Sequence, residues 1–249
     1  MRMIVTASFA VLLGCTGSHI GNPPAQLTLS VTGFDSAAPG ALTLTSGVEI
    51  DDAWIGLSRI RLRAAEDCDA TDARTDLEGP IGADLIEPMT LPSDLALEVA
   101  ATAYCRIELD IAKIDADELP GVPADLDDRS ALVRGRRADG VAFELATDFS
   151  DRFRLEAGVE PFAIPDGQSG LLLAFGLDGW IGADLLEEAD VEERDGEPFI
   201  EIGDGENDEI EDAFRDAVRQ SARLFRDLDL DGELSDDERE DTLALGTDD

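Results

Sequence analysis

The sequence predicts a mainly β chain: an antiparallel β-sandwich over residues 26–203, followed by a small α-helical module over 204–249. Three observations carry this prediction. From 26 to about 203, short runs alternate apolar and polar residues with the period of two that a pleated strand imposes, and Gly, Pro, Asp and Asn divide them. No long helical stripe intervenes, which favours a sandwich over an α/β arrangement. After 207 the period changes to three and four, so that Ile210, Ala213, Phe214, Ala217, Ser221, Leu224 and Phe225 line one face of a helix.

Taken in order, residues 1–14 hold one basic residue, Arg2, and then an apolar run over 3–13. That run is too short to span a bilayer and has the layout of a secretory signal. Its ending, Leu12-Leu13-Gly14-Cys15, resembles the lipobox of bacterial lipoproteins. The resemblance implies that Cys15 is lipidated and begins the mature chain, with 15–25 as a tether. The membrane is then reached through acyl chains rather than a span. Thr16 in place of Asp points to the outer membrane of the cell envelope, facing periplasm or exterior. Strands are expected at 27–31, 41–44, 54–63, 95–101, 104–111, 131–137, 141–146, 153–155, 162–164 and 171–177. Asp139-Gly140 sits where a hairpin needs a tight turn. Arg59, Arg61 and Arg63 alternate with Ile60 and Leu62, which places three guanidinium groups on one exposed face, paired with neighbouring carboxylates or with an anionic ligand. Gly79–Glu87 is nearly repeated as Gly179–Glu187, which suggests two equivalent connections against the sandwich. Cys68 and Cys105 form an even remainder in an oxidising compartment and read as a disulfide, with two buried thiols as the alternative. The strand pattern is similar to that of uncharacterised bacterial lipoprotein domains with Ig-like or transthyretin-like folds.

Residues 227–238 carry the most specific chemistry, in the run D-L-D-L-D-G-E-L-S-D-D-E. Carboxylates stand at positions 1, 3, 5 and 12, glycine at 6 and an apolar residue at 8. Together with the flanks over 207–245, the run resembles the EF-hand family. The resemblance implies Ca²⁺ held by Asp227, Asp229, Asp231, the Glu233 carbonyl, Ser235 through a water, and both oxygens of Glu238. Asp208 with Glu211 is the expected cap of the entering helix, and Ser235 with Glu238 has capping-box spacing for the exiting one. The exiting helix has Leu243 and Leu245 as its only large apolar residues. EF-hands usually come in pairs and this sequence holds one. Its apolar face must therefore be shielded by the rest of the chain, by a protein partner or by a second copy. A lone hand in a calcium-rich exterior suits a dissociation constant of about 10⁻⁴ to 10⁻³ M.

Composition narrows the function. The 57 acidic against 19 basic residues leave a formal charge of −38, which argues against nucleic-acid binding. It also argues against adsorption on anionic lipid, so any attachment falls to the lipid anchor. Lys113 is the only lysine, a surface that suits strong salt or the gathering of divalent cations. The only histidine, His19, lies in the tether with no partner to orient it, so no catalyst is expected. The expected function is calcium binding by one EF-hand on an envelope lipoprotein whose sandwich is a binding or structural body. The alternative is an acidic envelope protein to which calcium is incidental.

Overall fold

The computed structural model describes residues 24–34, 43–65, 74–93, 95–100, 102–203 and 205–247. The signal segment, Cys15, His19 and Cys68 lie outside the described residues. The chain is mainly β, 53% strand and 16% helix, in one curled sheet. Its strands are β1 (Ala25–Phe34), β2 (Glu49–Ala64), β3 (Arg74–Asp84), β4 (Met89–Leu91), β5 (Ala96–Val99), β6 (Ala103–Ile111), β7 (Ala131–Arg136) and β8 (Ala142–Thr147). They continue as β9 (Asp151–Ala157), β10 (Phe162–Ala163), β11 (Gln168–Gly176), β12 (Glu192–Arg194), β13 (Glu197–Ile202), β14 (Ala222–Asp227) and β15 (Thr242–Gly246). The helices are α1 (Leu177–Trp180), α2 (Ala183–Glu188), α3 (Asp208–Ser221) and α4 (Asp236–Arg239).

The main path through the sheet is β12-β13-β8-β7-β2-β6-β9-β15-β14-β11-β1-β5. The sheet is mixed, not antiparallel as expected, because β1 pairs in parallel with β11 and β13 in parallel with β8. Strand β2 joins the two parts. Its first half pairs with β7 and its second with β6, with an irregularity between Leu57 and Arg59 where Ser58 is the extra residue. The curl brings β1 back towards β3, where Gly33 N donates to Leu85 O at 2.9 Å. Apolar side chains from nearly every strand fill the inside of the curl.

Helix α3 closes one mouth of this core through Ile210 and Phe214, as expected, and through Val218, which the expected stripe did not include; Ala213 and Ala217 are only half-buried. Phe214 meets Trp180 edge-on at 5.3 Å, and Trp180 meets Phe175 at 5.4 Å. Trp180 Nε1 donates to Ser221 Oγ at 2.7 Å, fixing the residue at which the helix stops. The cap differs from expectation. Asn207 precedes the helix in a left-handed conformation, and its side chain holds Glu201 O and Asp190 instead.

Several expectations are met. The hairpin of β7 and β8 turns at Gly140, whose φ is +90°. Cys105 on β6 is disulfide-bonded, but the expected partner, Cys68, lies outside the described residues, so the pairing itself stays an expectation. The two echoed segments, however, adopt different structures: the first runs along β3 and the turn after it, the second forms α1 and α2. They share a set of side chains turned to the core, Ile81 with Ile181, Ala83 with Ala183 and Leu85 with Leu185.

Candidate metal centre

The expected helix–loop–helix does not form. Helix α3 ends at Ser221, and Ala222 turns extended with φ −66° and ψ 132°. The loop is therefore entered from a strand, β14, paired with β11 on one side and β15 on the other. Leu224 and Phe225 lie on that strand, and Leu243 and Leu245 on β15 rather than on an exiting helix. The physical reason lies in the side chains of 222–227. Leu224 points into the core while Phe225 packs on the outer sheet face with Phe34, Leu172 and Ala174. An apolar residue on each face suits a strand between two neighbours and cannot suit a one-sided helix. The loop is thus the connection of a β-hairpin, with a single turn of helix, α4, laid on it.

Within this frame the loop is tightly organised. Asp227, the last residue of β14, is buried; Oδ1 accepts from Leu230 N at 2.6 Å and Oδ2 from Gly232 N at 3.3 Å. Gly232 has φ +77°, the left-handed turn expected at position 6, and a Cβ there would come within 3.3 Å of Ser30 Oγ on β1. Asp231 Oδ1 accepts from Glu233 N at 2.8 Å. Leu234, at position 8, packs against the Phe34–Leu172–Phe225 cluster, as expected of an inward residue. Ser235 and Glu238 form the expected capping box on α4. Glu238 is buried as well; Oε1 accepts from Leu228 N at 2.6 Å, and Oε2 accepts from Ser235 N at 2.9 Å and Ser235 Oγ at 2.8 Å. The residue at position 12 thereby ties the two ends of the loop together.

One carboxylate oxygen from each of Asp227, Asp229 and Asp231 lies within 4.8 Å of the other two, and these three residues could hold a metal ion. Burial pushes the Asp227 carboxyl above the ordinary carboxylate range. The N–H of Leu230 and Gly232 oppose that shift, while the charges of Glu238 and Asp231 add to it. A divalent cation would relieve this conflict, because it restores to a desolvated carboxylate the positive field that water no longer supplies. The donors are all hard oxygens, a set that suits hard divalent cations such as Ca²⁺, Mg²⁺ and Mn²⁺ rather than softer metals. Glu233 and Ser235 are exposed on the same loop, and Glu238 stands outside the group of three.

Two residues of the site have no signature in the loop sequence. Gly170 on β11 faces Asp227 across the sheet, and a Cβ there would lie 2.7 Å from Asp227 O and 2.6 Å from Leu230 Cδ2. Arg239 covers Phe34, its guanidinium carbon 4.9 Å from the ring centre.

The arginine face on β2 is internally paired, but it is not fully exposed as expected. Arg61 is only 3% accessible, between Glu108 (3.3 Å), Asp110 (3.0 Å) and Asp76 (3.6 Å). Register extends it into three cross-strand rows over β3, β2, β6 and β9: Arg74-Arg63-Arg106-Glu156, Asp76-Arg61-Glu108-Arg154 and Glu78-Arg59-Asp110-Arg152. All twelve side chains are charged. Opposite charges alternate along the second and third rows, while the three adjacent arginines of the first row pair with Asp76 (3.1 Å), Glu108 (3.0 Å) and Glu156 (2.7 Å), so the face has the character of a structural lattice rather than an anion site.

Among the described residues no helix is long and apolar enough to cross a membrane. No protein-family model, no curated protein and no solved structure matches the chain.

Proposed function

We propose that this chain is a calcium-binding protein whose loop 227–238 takes one Ca²⁺ from a strand–loop–helix frame. The observation that carries the reading is the convergence of Asp227, Asp229 and Asp231 to within 4.8 Å, at positions 1, 3 and 5 of a complete calcium-loop sequence. In this reading the three aspartates give one oxygen each. The Glu233 carbonyl and a water on Ser235 add two more donors, and Glu238 closes the site. Seven-fold coordination with a bidentate carboxylate suits Ca²⁺, whereas Mg²⁺ demands a smaller octahedron at about 2.0–2.1 Å.

The role is structural rather than signalling. A sensor needs two helices free to swing apart and expose a groove. Here the loop is pinned at Asp227 to β11, at Gly232 to β1 and at Leu234 to the outer apolar cluster. The sheet also takes the place of the missing second hand at position 8, where Leu234 packs on Phe34 of β1, Leu172 of β11 and Phe225 of β14, while Leu228 and Leu230 stay exposed. The lipobox-like ending at Cys15 supports an exported, lipid-anchored protein of the cell envelope, where calcium is plentiful.

Calorimetric titration of the full-length protein with CaCl₂ tests the reading. One site per chain is expected, lost in Asp227→Ala and weakened at least tenfold in Glu238→Ala. Failure to take up calcium at ten millimolar would remove the assignment. Equal affinity for Mg²⁺ would remove the choice of metal.

A further inference from the structure

The loop lies between two strands, and those strands hold the sheet together. In the order β6-β9-β15-β14-β11, strand β15 is inserted between β9 and β14. Ala244 pairs with Ala157 of β9 and with Leu224 of β14, and Leu245 pairs with Glu156 and Arg223. Among the described strand pairings, no other strand bridges β9 to β14. Yet β15 is only five residues long, is irregular where it meets Leu224 and Phe225, and buries just two large or small apolar side chains, Leu243 and Ala244. Its seating is therefore weak for an internal strand, since few buried contacts hold it.

The two ends of the candidate metal loop lead into the paired strands β14 and β15. Asp227 is the last residue of β14, and Glu238 stands four residues before Thr242, where β15 begins. Asp241 N donates to Glu238 O at 3.1 Å, which continues the chain of contacts into the strand. Residues 227–241 hold nine acidic side chains against one arginine, so without a cation the connection repels itself. Two of those carboxylates, on Asp227 and Glu238, are buried. Opening the hairpin would free both to solvent, at the cost of the β15 pairing.

We infer that cation binding at 227–238 is coupled to the seating of β15, so that the metal locks the two parts of the sheet together. The inference rests on the proposed calcium site and adds its consequence at a distance. Coupling is reciprocal: if calcium seats the strand, loosening the strand must weaken calcium. The structure offers a handle for this away from the ligands. A Cβ on Gly246, at the far end of β15, would lie 1.9 Å from Arg219 O and 3.4 Å from Ala222 O, so any side chain there pushes the strand off the end of α3.

The experiment combines amide hydrogen exchange on the full-length protein, in calcium and in chelator, with calorimetric calcium titration of wild type and Gly246→Val. Calcium is expected to slow exchange at least tenfold in β15 and along the facing edges of β9 and β14. Gly246→Val is expected to bind calcium about tenfold more weakly with every ligand intact. Leu243→Ala, a milder loosening of the same strand, carries the same prediction at about threefold and decides the matter if the valine variant fails to fold. Protection confined to 227–241, or wild-type affinity in the folded variant, would overturn the coupling. Absence of any calcium uptake by wild type would instead overturn the metal site beneath it.

Discussion

At the scale of single residues, the site depends on groups that bind nothing themselves. Gly170 lets the backbone of β11 pass under Asp227 and Leu230 at a separation that no side chain could fill. Gly170→Ala should therefore push Asp227 out of register, lowering the denaturant midpoint by the equivalent of about 1–3 kcal/mol, as overpacking does. It should also weaken calcium binding, which a titration of the variant would reveal. Leu230 accepts a left-handed conformation, φ +64°, that a side chain of its size avoids, and its N–H thereby reaches Asp227 Oδ1. Position 4 of the loop is thus strained on behalf of position 1. A glycine placed at 230 would relieve that strain and should be tolerated within about 1 kcal/mol by thermal unfolding, while leaving calcium uptake intact.

At the scale of elements, the charged lattice on β3, β2, β6 and β9 makes stability depend on pH. Burial raises the Glu108 carboxyl, but hydrogen bonds and charge from Arg63 and Arg61 outweigh it and hold the group below the ordinary carboxylate range. Asp110 is depressed in the same way: burial raises it, and Arg152 and Arg61 more than compensate. A carboxylate depressed in the folded state binds its proton more readily when unfolded. Its contribution is therefore complete above the unfolded value, near 4, and is lost as pH falls through the lower folded value. Glu108→Gln should cost about 1–3 kcal/mol at neutral pH, because Arg61 and Arg63 lose a charged partner while Asp110 and Asp76 still flank Arg61. In urea melts the gap between variant and wild type should close on the acid side. Much of this layer was legible in advance: the hairpin at Gly140, the strand carrying Tyr104 and the pairing of the arginines with carboxylates all follow from spacing and charge. The missed elements share a physical cause. Strand β3 reads as polar because one face is the charged lattice, and β14 and β15 each put apolar residues on both faces, which blurs a period of two into one of three or four. The local form of the loop was legible almost residue by residue, from the left-handed Gly232 and the inward Leu234 to the Ser235–Glu238 box and the grouped aspartates, because such spacing is local. That a strand rather than a helix enters it depends on β11 and β9, distant in sequence and without trace in the motif.

At the scale of the whole molecule, the proposed coupling makes the candidate metal site and the sheet one cooperative object, so calcium should act on global unfolding. With free calcium a hundredfold above its dissociation constant, mass action adds about 2.7 kcal/mol. For a chain of this size that raises the melting temperature by about 5–10 °C. Scanning calorimetry should show the increase in wild type and none in Asp227→Ala. The parallel pair β1–β11 has a different implication. Its register joins Gln26 to Gln168 and Phe34 to Gly176, so a long loop must close before these strands can meet. Contacts of such sequence separation are slow to form, placing folding on the millisecond-to-second scale. Until then Leu171, Leu172, Leu173, Ala174 and Phe175, all buried in the finished sheet, form an uncharged run whose β1 edge is open. During that interval the run is a template for pairing between nascent molecules, and the acidic excess of the rest of the chain is what keeps those molecules apart.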